Sequence, residues 1–181
     1  MHKQLATGIA LAFVCLPAMA DSEIGFYSGV GVGHVTLKDN IDGVGIKATG
    51  TGFKIFGGYR FNEYGSLEVA YLDAGTPDDR ISGVTIESDA TAIQASAILQ
   101  IPISVRFEGF VRAGFLVWDA ENTARGGGIV LTDNNDGTDL ALGIGGAWHV
   151  TPKFGLRAEL EGAELDGTDL RSLSVSGLVR F

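Results

Sequence analysis

The sequence predicts an all-β fold, an eight-stranded antiparallel up-and-down barrel. Three observations carry that prediction. Apolar and polar residues alternate with period two over long stretches, as in "FKIFGGYRF" and "FGLRAELEG", the pattern of strands with one apolar and one polar face. No stretch carries a helical period. The connections alternate between short turns and long polar loops, which makes a meander, and eight meandering strands close into a barrel because closure removes the open edges.

Residues 1–20 read as a secretory signal peptide. Lys3 supplies the positive end, "IALAFVCLPA" the apolar stretch, and "AMA" the small-residue site before Asp21. Cys15, the only cysteine, lies inside that segment, and Val14 before it argues against lipidation. Residues 21–181 are then one barrel domain, exported without disulfides.

The first strand spans 25–37 and carries glycines 29, 31 and 33 on one face. After a long loop, 38–48, the second strand (49–61) sets Phe53, Ile55, Gly57, Tyr59 and Phe61 against Lys54, Phe56, Gly58 and Arg60. The turn "NEYG" leads to the third (65–74), where Leu67, Val69 and Tyr71 alternate with Glu68 and Ala70. A loop over 75–88 precedes the fourth (89–101), and the turn "PIS" precedes the fifth. That strand (105–119) sets Val105, Phe107, Val111, Ala113 and Phe115 against Arg106, Glu108 and Arg112. A loop over 120–137, the sixth strand (138–150) and the turn "TPK" follow. The seventh (154–164) sets Phe154, Leu156, Ala158 and Leu160 against Arg157, Glu159 and Glu161, and 165–168 joins it to the last, 169–181.

Removing Lys3 from the 13 basic side chains leaves 12 against 22 acidic ones, a formal charge of −10. Nucleic acid is thereby excluded, since it needs a basic footprint. No segment of 21–181 approaches 18 uninterrupted apolar residues, so no helix spans a membrane. Mean hydropathy is nonetheless +0.22.

Two barrels fit, and each is the other turned inside out: a soluble lipocalin-like barrel with the apolar face within, or a transmembrane barrel with that face in lipid. Three features select the second. Aromatics cluster beside the short turns, with Tyr59, Phe61, Tyr64, Phe107, Trp148 and Phe154 as interface aromatics. The inward set would hold both signs, Lys54, Arg60, Arg106, Arg112 and Arg157 against Glu68, Glu108, Glu159 and Glu161, able to neutralise one another in a narrow lumen. The same face carries Gly29, Gly31, Gly33, Gly143 and Gly145, which make room for those long side chains.

"FYSGVGVGHV", "GGYRFNEYGSLEVAYLDAG" and "GIGGAWHVTPKFGLRAELE" resemble the first strand and the strand–turn–strand units of the OmpA-like/OmpX-like small outer-membrane β-barrel family of Gram-negative bacteria. The resemblance implies a cell outer membrane location after Sec-type export, with both termini periplasmic and long loops extracellular. It also implies a monomer among outer-membrane lipids and lipopolysaccharide, inserted by the barrel-assembly machinery with periplasmic chaperones. The final "SLSVSGLVRF" is similar to the family's assembly signal, with Val179 and Phe181 as its apolar positions and Gly177 one residue later than the usual glycine.

No catalytic, metal or cofactor residue is assigned. "TDNNDGTD" places Asp133, Asn135 and Asp136 together but misses the calcium-loop spacing and lacks its final Glu. "ARGGGI" lacks the lysine of a phosphate loop. Lipid A deacylases and palmitoyl transferases use this scaffold, but His34 falls on the lipid-facing parity and His149 points inward at the periplasmic end, neither paired with a serine nucleophile. The expected function is a non-catalytic structural or surface-interaction barrel with acidic outer loops and an unidentified surface ligand. The alternative is a small channel for small or hydrophobic solutes; a lipid A-modifying enzyme and a soluble lipocalin-like binder rank below it.

Overall fold

Alternation alone says that a strand has two faces; the pairing register decides which neighbours share each face. In a computed structural model of the chain, the described residues are 24–41, 44–75, 78–81, 84–126, 129–165 and 168–181. The expected signal peptide lies outside them. The strands are β1 (Gly25–Ile41), β2 (Val44–Arg60), β3 (Gly65–Asp73), β4 (Asp78–Ile81), β5 (Val84–Pro102), β6 (Phe107–Gly126), β7 (Ile129–His149), β8 (Phe154–Leu165) and β9 (Thr168–Arg180). All pairings are antiparallel, β1 pairs with both β2 and β9, and β3 pairs with β5. The ring therefore closes through eight strands, and the short β4 continues the β3 edge of β5 beyond Asp73.

The stagger of the ring follows from the register. A row of partners starting at Phe26 runs through Tyr59, Leu67, Ala97, Ala113, Leu142, Gly162 and Arg171, and returns to β1 at Thr36, ten residues from its start. Such a stagger goes with strands tilted by about 35–45° and an interior just wide enough for side chains to fill.

The faces are inverted relative to a water-soluble protein. Val30, Val32, Leu67, Val69, Leu142, Ile144, Leu173 and Val175 point outward and are exposed, whereas Lys54, Arg60, Glu68, Arg112, Arg157, Glu159 and Glu161 are buried inside. An apolar band of that extent needs lipid against it, and the lipocalin-like alternative is overturned.

Eight ring strands lie where the alternation put them, with two corrections. The expected loops 38–48, 120–137 and 165–168 are largely ladder: pairing continues to Ile41↔Val44, Gly126↔Ile129 and Leu165↔Thr168. In 75–88, β4 pairs with the start of β5. Beyond a bilayer both faces of a strand meet water, so backbone pairing persists without alternation.

Secondly, β6 begins at Phe107. The amides of Ile103 and Ser104 donate to the Phe107 carbonyl at 2.9 and 3.0 Å, so Val105, 98% exposed, and Arg106 belong to the turn.

The register gives some of the inward glycines a second task, which is to accommodate aromatic rings. Gly29 pairs directly with Phe56, Gly145 with Phe110 and Gly58 with Tyr27. A Cβ at any of the three would overlap its partner's ring. The same face also flanks the charges as expected: Gly31 stands directly opposite Lys54, Gly143 opposite Arg112 and Glu161, and Gly145 opposite Glu159.

Gly145→Val should therefore destabilise the barrel by about 1–3 kcal/mol through overpacking, read by urea unfolding in lipid vesicles. Gly146→Val faces outward, where an added Cβ meets nothing nearer than the Glu108 carbonyl at 3.6 Å. It should leave stability nearly unchanged; equal losses at both positions would refute the packing account.

Candidate functional site in the barrel lumen

Inward parity sends long polar side chains from opposite walls toward one another. In the middle of the lumen Glu68 of β3 stands between two arginines. Arg112 of β6 binds its Oε1 through Nη2, and Arg157 of β8 donates to Oε2 from Nη1 at 2.9 Å. The Tyr27 hydroxyl donates to the same Oε2 at 2.9 Å. Arg112 also reaches Glu159 Oε1 through Nε at 2.6 Å and donates to Gln94 Oε1 at 3.1 Å. Lys54 of β2 lies 2.9 Å from Glu159 and 3.6 Å from Glu161. Three cations and three carboxylates thus make one connected, balanced layer, each member under 10% exposed. Arg157 is held on a further side by aromatic faces, its guanidinium carbon 4.1 Å from the Phe56 centroid and 5.4 Å from that of Phe110.

A second cluster lies at the short-turn end. Arg60 pairs with Glu108 at 2.9 Å and donates to the turn carbonyls of Asn62 and Glu63 at 3.2 and 2.7 Å. Arg180 and His149 approach the same carboxylate at 3.5 and 3.3 Å and each other at 2.9 Å. Among the described residues, cavities remain in the lumen on either side of the balanced layer. One of about 30 Å³ lies at the short-turn end and one of about 70 Å³ on the hairpin side of the balanced layer, and they share no lining residue.

The structure brings together Lys54, Glu68, Arg112, Arg157, Glu159 and Glu161 in one layer and Arg60 and Glu108 in the other. Arg106 is the exception among the nine. It is exposed in the turn and offers only its carbonyl, to the His149 amide, because the turn takes up the two residues that parity had assigned to β6.

Tyr59, Phe61, Tyr64, Phe107, Trp148 and Phe154 are all exposed beside the short turns. Tyr59 meets Phe26 edge-on with centroids 4.8 Å apart, and Phe107 stacks on Trp148 at 6.1 Å. Val179 faces outward between Ser28 and Phe154, and the Phe181 amide donates to the Phe26 carbonyl at 2.9 Å, so the ladder runs to that residue. His34 is exposed on the outer face. Phe26, Tyr27, Gln94 and Arg180 escape sequence reasoning; the inward parity of Arg180 was the available signal.

The family model described as the outer membrane protein beta-barrel domain matches residues 6–181. Outer membrane protein A of Shigella flexneri is 26% identical over 162 residues, covering 87% of this chain and 47% of that protein. The Salmonella typhi protein of the same name is 26% identical over 163 residues, with 87% and 46% covered. The chain thus spans about half the length of the curated relatives it matches. Among solved structures, Neisserial surface protein A matches with a TM-score of 0.71 at 20% identity, covering 87% of this chain and 97% of that one. Ail, the attachment invasion locus protein of Yersinia pestis, solved with the heparin analogue sucrose octasulfate, matches at 0.63 and 16%, with 87% and 99% covered. Both are likenesses of fold.

Breaking a buried pair leaves an uncompensated charge. Glu68→Leu and Arg157→Leu should each cost roughly 3–5 kcal/mol. Together they should cost at least ~1 kcal/mol less than the sum, because Arg112 keeps Glu159. Unfolding free energies of the four proteins in vesicles give the coupling, and strictly additive values would contradict a shared network.

Proposed function

The chain belongs to the outer membrane protein beta-barrel domain family, and on that premise we propose a non-catalytic barrel that works through the surface it displays. One observation carries this reading: the balanced six-charge layer separates two lumen cavities that have no lining residue in common. A lumen closed in this way favours structural and surface roles over transport of solutes. The working parts are then the long hairpins, read as extracellular, with the short turns in the periplasm.

Charge narrows the kind of contact. Residues 38–48, 75–88, 120–137 and 165–168 hold nine Asp and Glu against four Lys and Arg. Such an excess disfavours a polyanion of the kind bound in the Ail complex and favours basic or neutral partners, or cation-bridged lipopolysaccharide. Envelope integrity and adhesion are the two roles this supports. A strain lacking the protein, scored for envelope permeability and surface adhesion, tests the pair; no change in either would reject both.

Sidedness has its own test. The only cysteine lies within residues 1–20, so Gly127→Cys and Lys153→Cys each introduce a single reactive thiol in residues 21–181. A membrane-impermeant maleimide on intact cells should label position 127 and spare 153; the opposite pattern would invert the proposed orientation. In planar bilayers the purified protein should show no unitary conductance. Steady, reproducible current steps would favour the channel reading instead.

A further inference from the structure

The balanced layer fills the middle of the lumen, but the space on its hairpin side stays hollow. The cavity of about 70 Å³ there has Lys54 and Glu161 at its floor and mostly apolar walls, including Leu72, Ala92, Leu116 and Leu170. One water needs roughly 10–15 Å³ of such volume, so the space admits a molecule of several heavy atoms. Apolar walls give ordered water few partners and make it easily displaced.

The floor has an unanswered acceptor. Glu161 is 5% exposed, and its Oε2 accepts no hydrogen bond from the described residues. The nearest cations, Lys54 Nζ at 3.6 Å and Arg112 Nε at 3.9 Å, stand beyond hydrogen-bond distance. Lys54 carries three donors, one of them used on Glu159 at 2.9 Å. A buried carboxylate oxygen left without a donor is costly, and it borders an apolar cavity of ligand size.

A hydroxyl answers both groups at once, donating to Glu161 and accepting from Lys54. A carboxylate would set a second anion against Glu161, and an alkylammonium would add a cation beside Lys54 while offering it no acceptor. We propose that this cavity is a binding site for a small amphiphile with an apolar body and one terminal hydroxyl, an aliphatic or aryl alcohol, seated head-down on Lys54 and Glu161. This goes beyond the surface role and is compatible with it, since the charged layer beneath makes the cavity a dead end that binds without conducting.

The test is an amide-resolved NMR titration of the chain in lipid nanodiscs with 1-hexanol, hexanoate, hexylamine and hexane. Hexanol should give saturable shifts at Leu72, Ala92 and Ser174, and bind at least tenfold more tightly than the other three. Ala92→Phe, which fills the cavity, should weaken hexanol at least tenfold while the rest of the spectrum is kept. Ala90→Leu, also lining the cavity, is the second filled variant should Ala92→Phe fail to refold. The proposal is overturned by shifts that do not saturate and appear equally at lipid-facing Val69 and Val175, which would mean partition into the bilayer only. It is equally overturned by hexane, hexanoate or hexylamine binding as well as hexanol, or by hexanol binding that survives a filled cavity.

Discussion

A strand in hydrocarbon can leave none of its backbone donors and acceptors without a partner, and the rest of this structure depends on that constraint. It forces β1 to pair with β9 as well as β2 and β3 to pair with β5, closing eight strands into a ring. Closure with a stagger of ten residues sets the width of the interior. The width then decides how much side chain the interior can and must hold.

The interior meets that demand by two devices that work through different geometry. The glycine–aromatic pairs Gly29–Phe56, Gly145–Phe110 and Gly58–Tyr27 act between neighbouring strands, where one residue gives up the volume its direct partner takes. The ion pairs act across the lumen, joining β2 to β8 through Lys54 and Glu159, and β3 to β6 and β8 through Glu68. The two meet at Arg157, whose guanidinium lies on the Phe56 ring while binding Glu68. Strands that are not neighbours are thereby tied together, which backbone pairing cannot do.

Much of this was legible in the sequence, for a physical reason. Alternation records the contrast between lipid outside and polar lumen inside, so it shows the eight ring strands wherever that contrast exists. It is silent where both faces are wet, and the continuation of β1–β2 and β6–β7 into long hairpins went unread. It also cannot say where a strand begins: Arg106 has inward parity, yet the hydrogen bonds from Ile103 and Ser104 to Phe107 hold it in the turn. Individual glycines were visible, but their second task needs the register that sets Gly29 opposite Phe56. The charged residues of the lumen were named from parity, while their pairing across the barrel depends on stagger, which no local pattern encodes.

The charged layer also bears on how the chain finds one register. Were the inward face apolar, the two faces of each strand would be alike, and a slip of one residue would change little. Here such a slip in β8 alone would carry Arg157, Glu159 and Glu161 outward, each 5% exposed or less in the native register. Placing an Arg or Lys at the bilayer midplane costs about 2–4 kcal/mol in such barrels, and the partners left inside would lose their pairing. The layer therefore penalises misregister more strongly than an apolar core of equal volume would. Because a single layer at mid-height suffices for that, the interior on its hairpin side is under no such demand, and there the barrel can remain hollow.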